Sequence, residues 1–321
     1  MRQQLSDRCR KLLAVQCGVI ARWQATAVGL DANTIITRVR SGRWRRLGWG
    51  VYATYTGEPS RTAVLWAAVL GAGPRAILSH ETAAELDGLA HGVSAPVHVT
   101  VPRQQHIDAR REVAIHRSDR IQQTRHPSLT PPRTMIEETV LDLTQASGTF
   151  DDAFSWVSRA CQRGLTTPTL LGMRMHMRKK MRWRAELSEA FPDVGSGAHS
   201  ALEFRYLRDV ERAHRLPHAK RQSRMAHDGR RQYRDVFYEQ YAVVVELDGR
   251  LAHPAESRWH DIHRDNAAAA DGIITLRYGW ADVSQRTCQV AAEVAVVLQV
   301  RGWKGTPRPC GPNCMAGRLA S

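Results

Sequence analysis

A chain of 321 residues, 43% hydrophobic and 24% charged, has room for two or three packed domains, which excludes a disulfide-stapled miniprotein and a wholly disordered chain. Lys and Arg number 46 against 31 Asp and Glu, and the resulting formal charge of +15 favours a polyanionic partner, nucleic acid first, although an acidic lipid surface would also satisfy it. No apolar run approaches the roughly 18 residues of a membrane span, and the N-terminal stretch has charges where a signal peptide would carry its apolar core, so a cytoplasmic protein without a membrane partner is expected.

Breaker clusters at Gly57-Glu58-Pro59, Gly195-Ser196-Gly197 and Gly302 divide the chain. The expected pieces are a winged helix-turn-helix over 1–57, a mixed α/β domain over 58–148, a helical linker over 149–195, an α/β domain over 196–301 and a flexible tail over 302–321. In the first piece, helices are predicted over Leu5–Gln16 and Trp23–Val28, and a third begins after Asp31 as N-cap, with Ile35, Ile36 and Val39 facing inward. The run SGRWRRLGWGVYATY then suits a hairpin. Three helices and a hairpin are the order of a winged helix-turn-helix, with Arg38 and Arg40 outside the inward stripe and Arg43, Arg45 and Arg46 on the wing as DNA contacts. The same pattern also fits a solvated basic hairpin on a three-helix bundle.

Further on, helices are predicted over Thr62–Leu70 and after Ser79, strands at VHVTV and EVAIH, and a helix over Leu129–Ala146 entered through Thr130-Pro131-Pro132. His80 and Glu81, at a helix start, read as capping or core groups before catalytic ones. The segments LSHETAAELDGL, VHVTVPR and TPPRTMIEETVLDL, after the RSGRWRRLGWGVYA wing, resemble the AbiEi-type antitoxins of type IV toxin-antitoxin systems. That resemblance implies operator binding by residues 1–57 and raises a cognate toxin as a possible partner. Arg174, Arg178, Lys179, Lys180, Arg182 and Arg184 follow at a density typical of a solvated helix or linker, able to add phosphate contacts.

Residues 199–300 hold the carboxylates. HSALEFRYLRDVERAHRL is helical by its spacing and carries Glu203 early; RRQYRDVFYEQ and YAVVVELDGR read as a hairpin. With a loop of even length, Tyr238 sits opposite Tyr241, Asp235 opposite Val244, and Asp235, Glu246 and Asp248 share a face. Asp235 and Glu246 would then be diagonal neighbours at roughly 7–8 Å between Cα atoms. Hard oxygen donors so close point to Mg²⁺, or Mn²⁺ in its place, on Asp235, Glu246 and Asp248. A loop of odd length would abolish the arrangement. A helix over Ser257–Asp271, capped by Gly272, the strand IITLRY and a helix over Gln289–Val300 complete the order.

The SALEF, YRDVFY, VVVELDGRLAH and DIHRD segments resemble the very-short-patch-repair endonuclease and a related actinobacterial domain of unknown function, within the PD-(D/E)XK superfamily. The resemblance implies a restriction-endonuclease-like α/β domain and Mg²⁺-dependent hydrolysis of DNA phosphodiesters. Glu203 becomes the helix carboxylate, Asp235 the metal aspartate, Glu246 and Asp248 the second acidic motif, and His253 the histidine after that strand. Arg234 stands where the superfamily has proline, and Asp248 where it usually has the lysine that orients water. An inactive nuclease-like domain on a DNA-binding antitoxin or repressor is the rival reading. In the tail, Cys310 and Cys314 supply only two of the four ligands a zinc needs, so a flexible tail without an ordered metal is expected. The six cysteines show no disulfide-framework spacing.

Overall fold

Ser6 accepts a hydrogen bond from the Cys9 N–H at 3.3 Å and starts α1, Asp7–Val15. In this computed structural model the described residues are 5–48, 50–105, 107, 111–195, 200–227, 230–248 and 268–316; for 224–227, 230–233 and 248 the backbone alone is described. They fall into two units, Met1–Ala146 and Ser147–Ser321.

In the first unit, Cys17 and Gly18 both have positive φ (52° and 76°) and turn the chain out of α1 into β1, Val19–Ala21. Then come α2, Arg22–Ala27, and α3, Ala32–Arg40, where Asp31 accepts from the Thr34 N–H at 2.7 Å. Strands β2, Arg45–Gly48, and β3, Val51–Ala53, close an antiparallel sheet in the order β1-β3-β2. The sequence reading lacked β1, because three residues are too few to display a period-2 pattern. Cys9, Leu13, Ile20, Ala25, Leu30, Ile35 and Trp44 form the core of this part. Ile36, expected inside, is 46% exposed, since so short a helix buries a stripe about one residue wide.

Helix α4, Arg61–Ala72, is apolar on two sides. Ala63, Trp66 and Leu70 pack on Val19, Ala21 and Val51, whereas Leu65, Ala68, Val69 and Ala72 pack on the next sheet. No break in packing therefore falls at the 57/58 boundary. That next sheet joins β4, Ile77–Leu78, β5, Val97–Pro102, and β6, Val113–Ser118, in the order β4-β5-β6, with β5 and β6 parallel. Helix α5, His80–Leu86, precedes β5; α6, Ile121–Thr124, and α7, Ile136–Ala146, follow β6. The expected start of α7 at Leu129 is corrected to Ile136. Residues before it are taken up by the sheet edge, through bridges Leu78↔Arg133 and Arg125↔Thr134, and Arg133 is tied to Asp87 at 2.7 Å.

The second unit opens with α8, Phe150–Gln162, α9, Pro168–His176, and α10, Arg184–Gly195. These were expected as a linker, yet Phe154, Val157, Leu171, Met175 and Leu187 are buried. Phe154 stacks on Phe204 of α11, Ala201–Arg205, at 5.6 Å, so the apolar positions between the basic ones form a packed layer. After α11 the helix continues as a π-helical stretch, Tyr206–Arg212.

Strands β7, Lys220–His227, β8, Arg230–Tyr238, and β9, Val243–Asp248, form an antiparallel meander, and β10, Ile274–Gly279, lies parallel to β9, in the order β10-β9-β8-β7. The β8–β9 connection has even length, as supposed, but Tyr238 pairs with Val243 and not with Tyr241. The extra residues form a 3₁₀ turn, Glu239–Tyr241, and Ala242 with φ 51°. On one face Val236, Tyr238, Val243 and Val245 pack with Leu202, Tyr206 and Val210 and with α13, Thr287–Val300, which follows α12, Trp280–Gln285. On the other, Phe237 and Val244 meet Ala268 and Ile273. The tail expected to be flexible is anchored at several points: Cys314 and Ala316 are buried in the main core, and the Arg308 N–H donates to the His214 carbonyl at 2.8 Å.

Candidate functional site

Ser200 caps α11 by accepting from the Glu203 N–H at 3.1 Å, which fixes Glu203 in the first helical turn, 5% exposed. Its Oε2 accepts from Gln222 Nε2 at 3.1 Å, and the same nitrogen lies 3.4 Å from Asp235 Oδ1. Two carboxylates far apart in sequence thus meet at one amide donor, which offsets the repulsion such a pair would otherwise feel. Gln222 has φ 45° and lies between the paired positions Arg221↔Val236 and Ser223↔Arg234, so the β7–β8 ladder skips it. The β8–β9 ladder stops at Val236↔Val245. Beyond that point Asp235 Oδ2 accepts from the Leu247 N–H at 2.9 Å, a side chain standing in for a strand carbonyl.

Glu246 makes a different contact. Its Oε1 lies 3.0 Å from Arg234 Nη1, and both side chains are buried, at 7% and 4% exposure. A guanidinium thus neutralises the carboxylate expected to share a cation with Asp235. Among the described residues, Glu203, Asp235 and Glu246 do not form a cluster with all ligand atoms within 4.8 Å of one another. Asp248 pairs its backbone with Gly279 across β9 and β10. The Asp248 side chain and His253 lie outside the described residues, as do Arg250, His260, Asp261, His263, Arg264 and Asp265.

Sequence reasoning missed Gln222 and the role of Arg234 as a partner. Neither a glutamine in a basic strand nor a single arginine carries a readable signal. Next to them, Glu211 accepts from Arg221 and from Tyr238 Oη (3.4 Å), and Tyr238 Oη lies 3.1 Å from Tyr206 Oη. Burial pushes the Glu211 carboxyl above its usual range, with Arg221 opposing.

In the first unit, the five arginines read as DNA contacts divide by environment. Arg38 is half-buried with its guanidinium 5.3 Å from the Trp44 ring centre, and Arg45 pairs with Glu58 at 2.8 Å. Arg46 is exposed and donates to the Gly48 carbonyl at 3.2 Å. Arg40, at the end of α3, and Arg43, in the turn before β2, are exposed.

His80, His98 and His116 converge, which the sequence did not reveal. The His80 and His116 rings stack at 3.6 Å, His98 Nδ1 lies 3.0 Å from His116 Nε2, and Glu81 reaches His98 at 3.2 Å. Burial, reinforced by the two neighbouring imidazoles, pushes His116 down to about 4. One ring nitrogen from each of the three lies within 4.8 Å of the other two, and the three rings are stacked.

Compared with known proteins, the sequence matches no family model and no curated protein.

Proposed function

We propose that this is a DNA-binding protein whose second unit carries a nuclease-type phosphodiester site of the PD-(D/E)XK kind. The observation that carries the reading is the meeting of Glu203 and Asp235 at Gln222, on a helix followed by an antiparallel meander with a parallel fourth strand. Glu203 and Asp235 are the residues that would hold Mg²⁺, an ion content with one or two carboxylates and several waters; when bound it supplies Lewis-acid polarisation of a phosphoryl oxygen. The Glu203 carboxylate is held by Gln222 Nε2 and that of Asp235 by the Leu247 N–H, so both carboxylates are positioned before any substrate arrives. Glu246 contributes no ligand while Arg234 holds it.

The order helix, strand, two helices, two strands in the first unit supports a winged helix-turn-helix, with Ile36 and Arg40 on the solvent face of α3 and Arg43 before the wing. Plasmid nicking in Mg²⁺ tests the catalytic part: wild type nicks and Asp235→Ala does not. A wild type that binds DNA without nicking it in Mg²⁺ or Mn²⁺ would sink it. The Arg234–Glu246 pair favours a second reading, a DNA-binding repressor or antitoxin with an inactive nuclease-like domain, and that same outcome would support it.

A further inference from the structure

Four candidate metal ligands come together on the described side of the C-terminal tail. His214 lies just past the π-helical stretch, Cys288 in the first turn of α13, and Cys310 and Cys314 flank a Gly311-Pro312-Asn313 turn in which the Cys314 N–H donates to the Gly311 carbonyl at 3.1 Å. One ligand atom from each of the four lies within 4.8 Å of all the others. The Cys288 and Cys310 sulfurs are 3.5 Å apart, well beyond the roughly 2.05 Å of a disulfide. A tetrahedral ion with metal–sulfur bonds near 2.3 Å would space its sulfurs by about 3.8 Å.

The histidine is prepared for such an ion. His214 is 1% exposed and its Nδ1 lies 3.0 Å from the Val210 carbonyl, which makes Nδ1 the donor and leaves Nε2 with its lone pair. That Nε2 is buried and has no hydrogen-bond partner. An orphaned acceptor in a packed interior is unfavourable, and a ring nitrogen whose opposite N–H is tied to a backbone carbonyl is the usual arrangement of a metal-bound imidazole.

We propose that His214, Cys288, Cys310 and Cys314 bind one structural Zn²⁺. Three thiolates and an imidazole fill all four positions, so there is no open site for water or substrate, and the ion's role is to staple the tail to α13 and to the end of the π-helical stretch. Three soft sulfurs in a closed tetrahedron select zinc over the hard Mg²⁺ proposed at Glu203 and Asp235. The two assignments are independent, since the nicking result does not bear on this one.

The test is elemental analysis of the full chain purified without added chelator. The expected result is about one zinc per chain, falling at least tenfold in Cys310→Ser/Cys314→Ser and unchanged in Cys161→Ser. Because the double variant could fail to fold, wild-type protein exchanged with Co²⁺ supplies a second measurement. The visible d–d bands of tetrahedral cobalt with thiolate charge transfer would support the site, and an octahedral spectrum would overturn it. Wild type without stoichiometric metal, or with a Cys288–Cys310 disulfide in its place, would also overturn it, and iron in place of zinc would refute the assigned ion.

Discussion

His116 is where a single residue writes pH into stability. Its folded pKa is pushed down to about 4 by burial and by His80 and His98, while the unfolded imidazole titrates near 6.5. Between those values the unfolded chain binds the extra proton, so stability rises with pH across that window; it is fully present above about 6.5 and lost as pH falls toward 4. Allowing for solvent reaching the ring, the loss is about 1–2 kcal/mol. Urea midpoints at neutral pH and at the bottom of the window should differ by less in His116→Asn than in wild type, and equal slopes would refute the assignment. Arg234 makes a second case. Arg234→Ala takes the guanidinium away from buried Glu246, at an expected cost of about 3 kcal/mol, and Mg²⁺ should then raise the melting temperature more in the variant than in wild type, since the ion can take the guanidinium's place. An equal Mg²⁺ response in both would show that Glu246 cannot reach a cation. The sequence made Glu203, Asp235 and Glu246 legible as a set of acids; it could not say that an arginine one position from Asp235 would claim Glu246, because partner choice inside a strand pair depends on side-chain orientations that alternation only averages.

For the elements, caps decide more than periodicity does. Asp31, Ser60, Thr149 and Ser200 each accept a backbone N–H at a helix start, and helices so capped begin within a few residues of where the sequence puts them. Two elements without that signal were missed or displaced. β1 is three buried residues long, and α7 starts late because the Pro131-Pro132 segment, short of N–H donors, serves the sheet edge instead of a first helical turn. Charge density misled in α8–α10, where basic side chains flank apolar positions that pack. Ser200→Ala is expected to lower the stability of the second unit by about 1 kcal/mol, read as a shift in denaturant midpoint at constant m-value. It should also weaken any Mg²⁺ response, because the cap holds the turn that carries Glu203. A midpoint shift with the Mg²⁺ response intact would separate the cap from the site.

The molecule as a whole carries +15, and a surplus of that size makes salt dependence the natural probe of any DNA complex. Each phosphate contact contributes about −0.9 to the slope of log K against log salt. Arg40→Ala/Arg43→Ala should therefore flatten the slope by nearly 2, whereas Arg38→Ala, which removes a guanidinium stacked on Trp44, should act mainly through stability. Unchanged slopes in the double variant would place the DNA contacts elsewhere. Each of the two units has a core of its own, and fragments 1–146 and 147–321 are expected to unfold cooperatively when made separately, a result calorimetry would check. The sequence conveyed the mixed α/β class, since it rests on local pattern. The packed tail was illegible, because its partners His214 and Cys288 are distant in sequence and joined to it only by the fold.

The π-helical stretch Tyr206–Arg212 has a consequence for insertions and deletions. A π turn holds one more residue than an α turn, so the segment stores a single-residue offset between α11 and everything after it. Removing one residue there would let the helix relax to regular α geometry and keep the following positions facing as they do, whereas inserting one more would rotate them by about 100°. His214 would then turn away from the three sulfurs and Glu211 from Arg221, although no contacting side chain had been altered. The chain should therefore tolerate the loss of one residue within this stretch better than the gain of one.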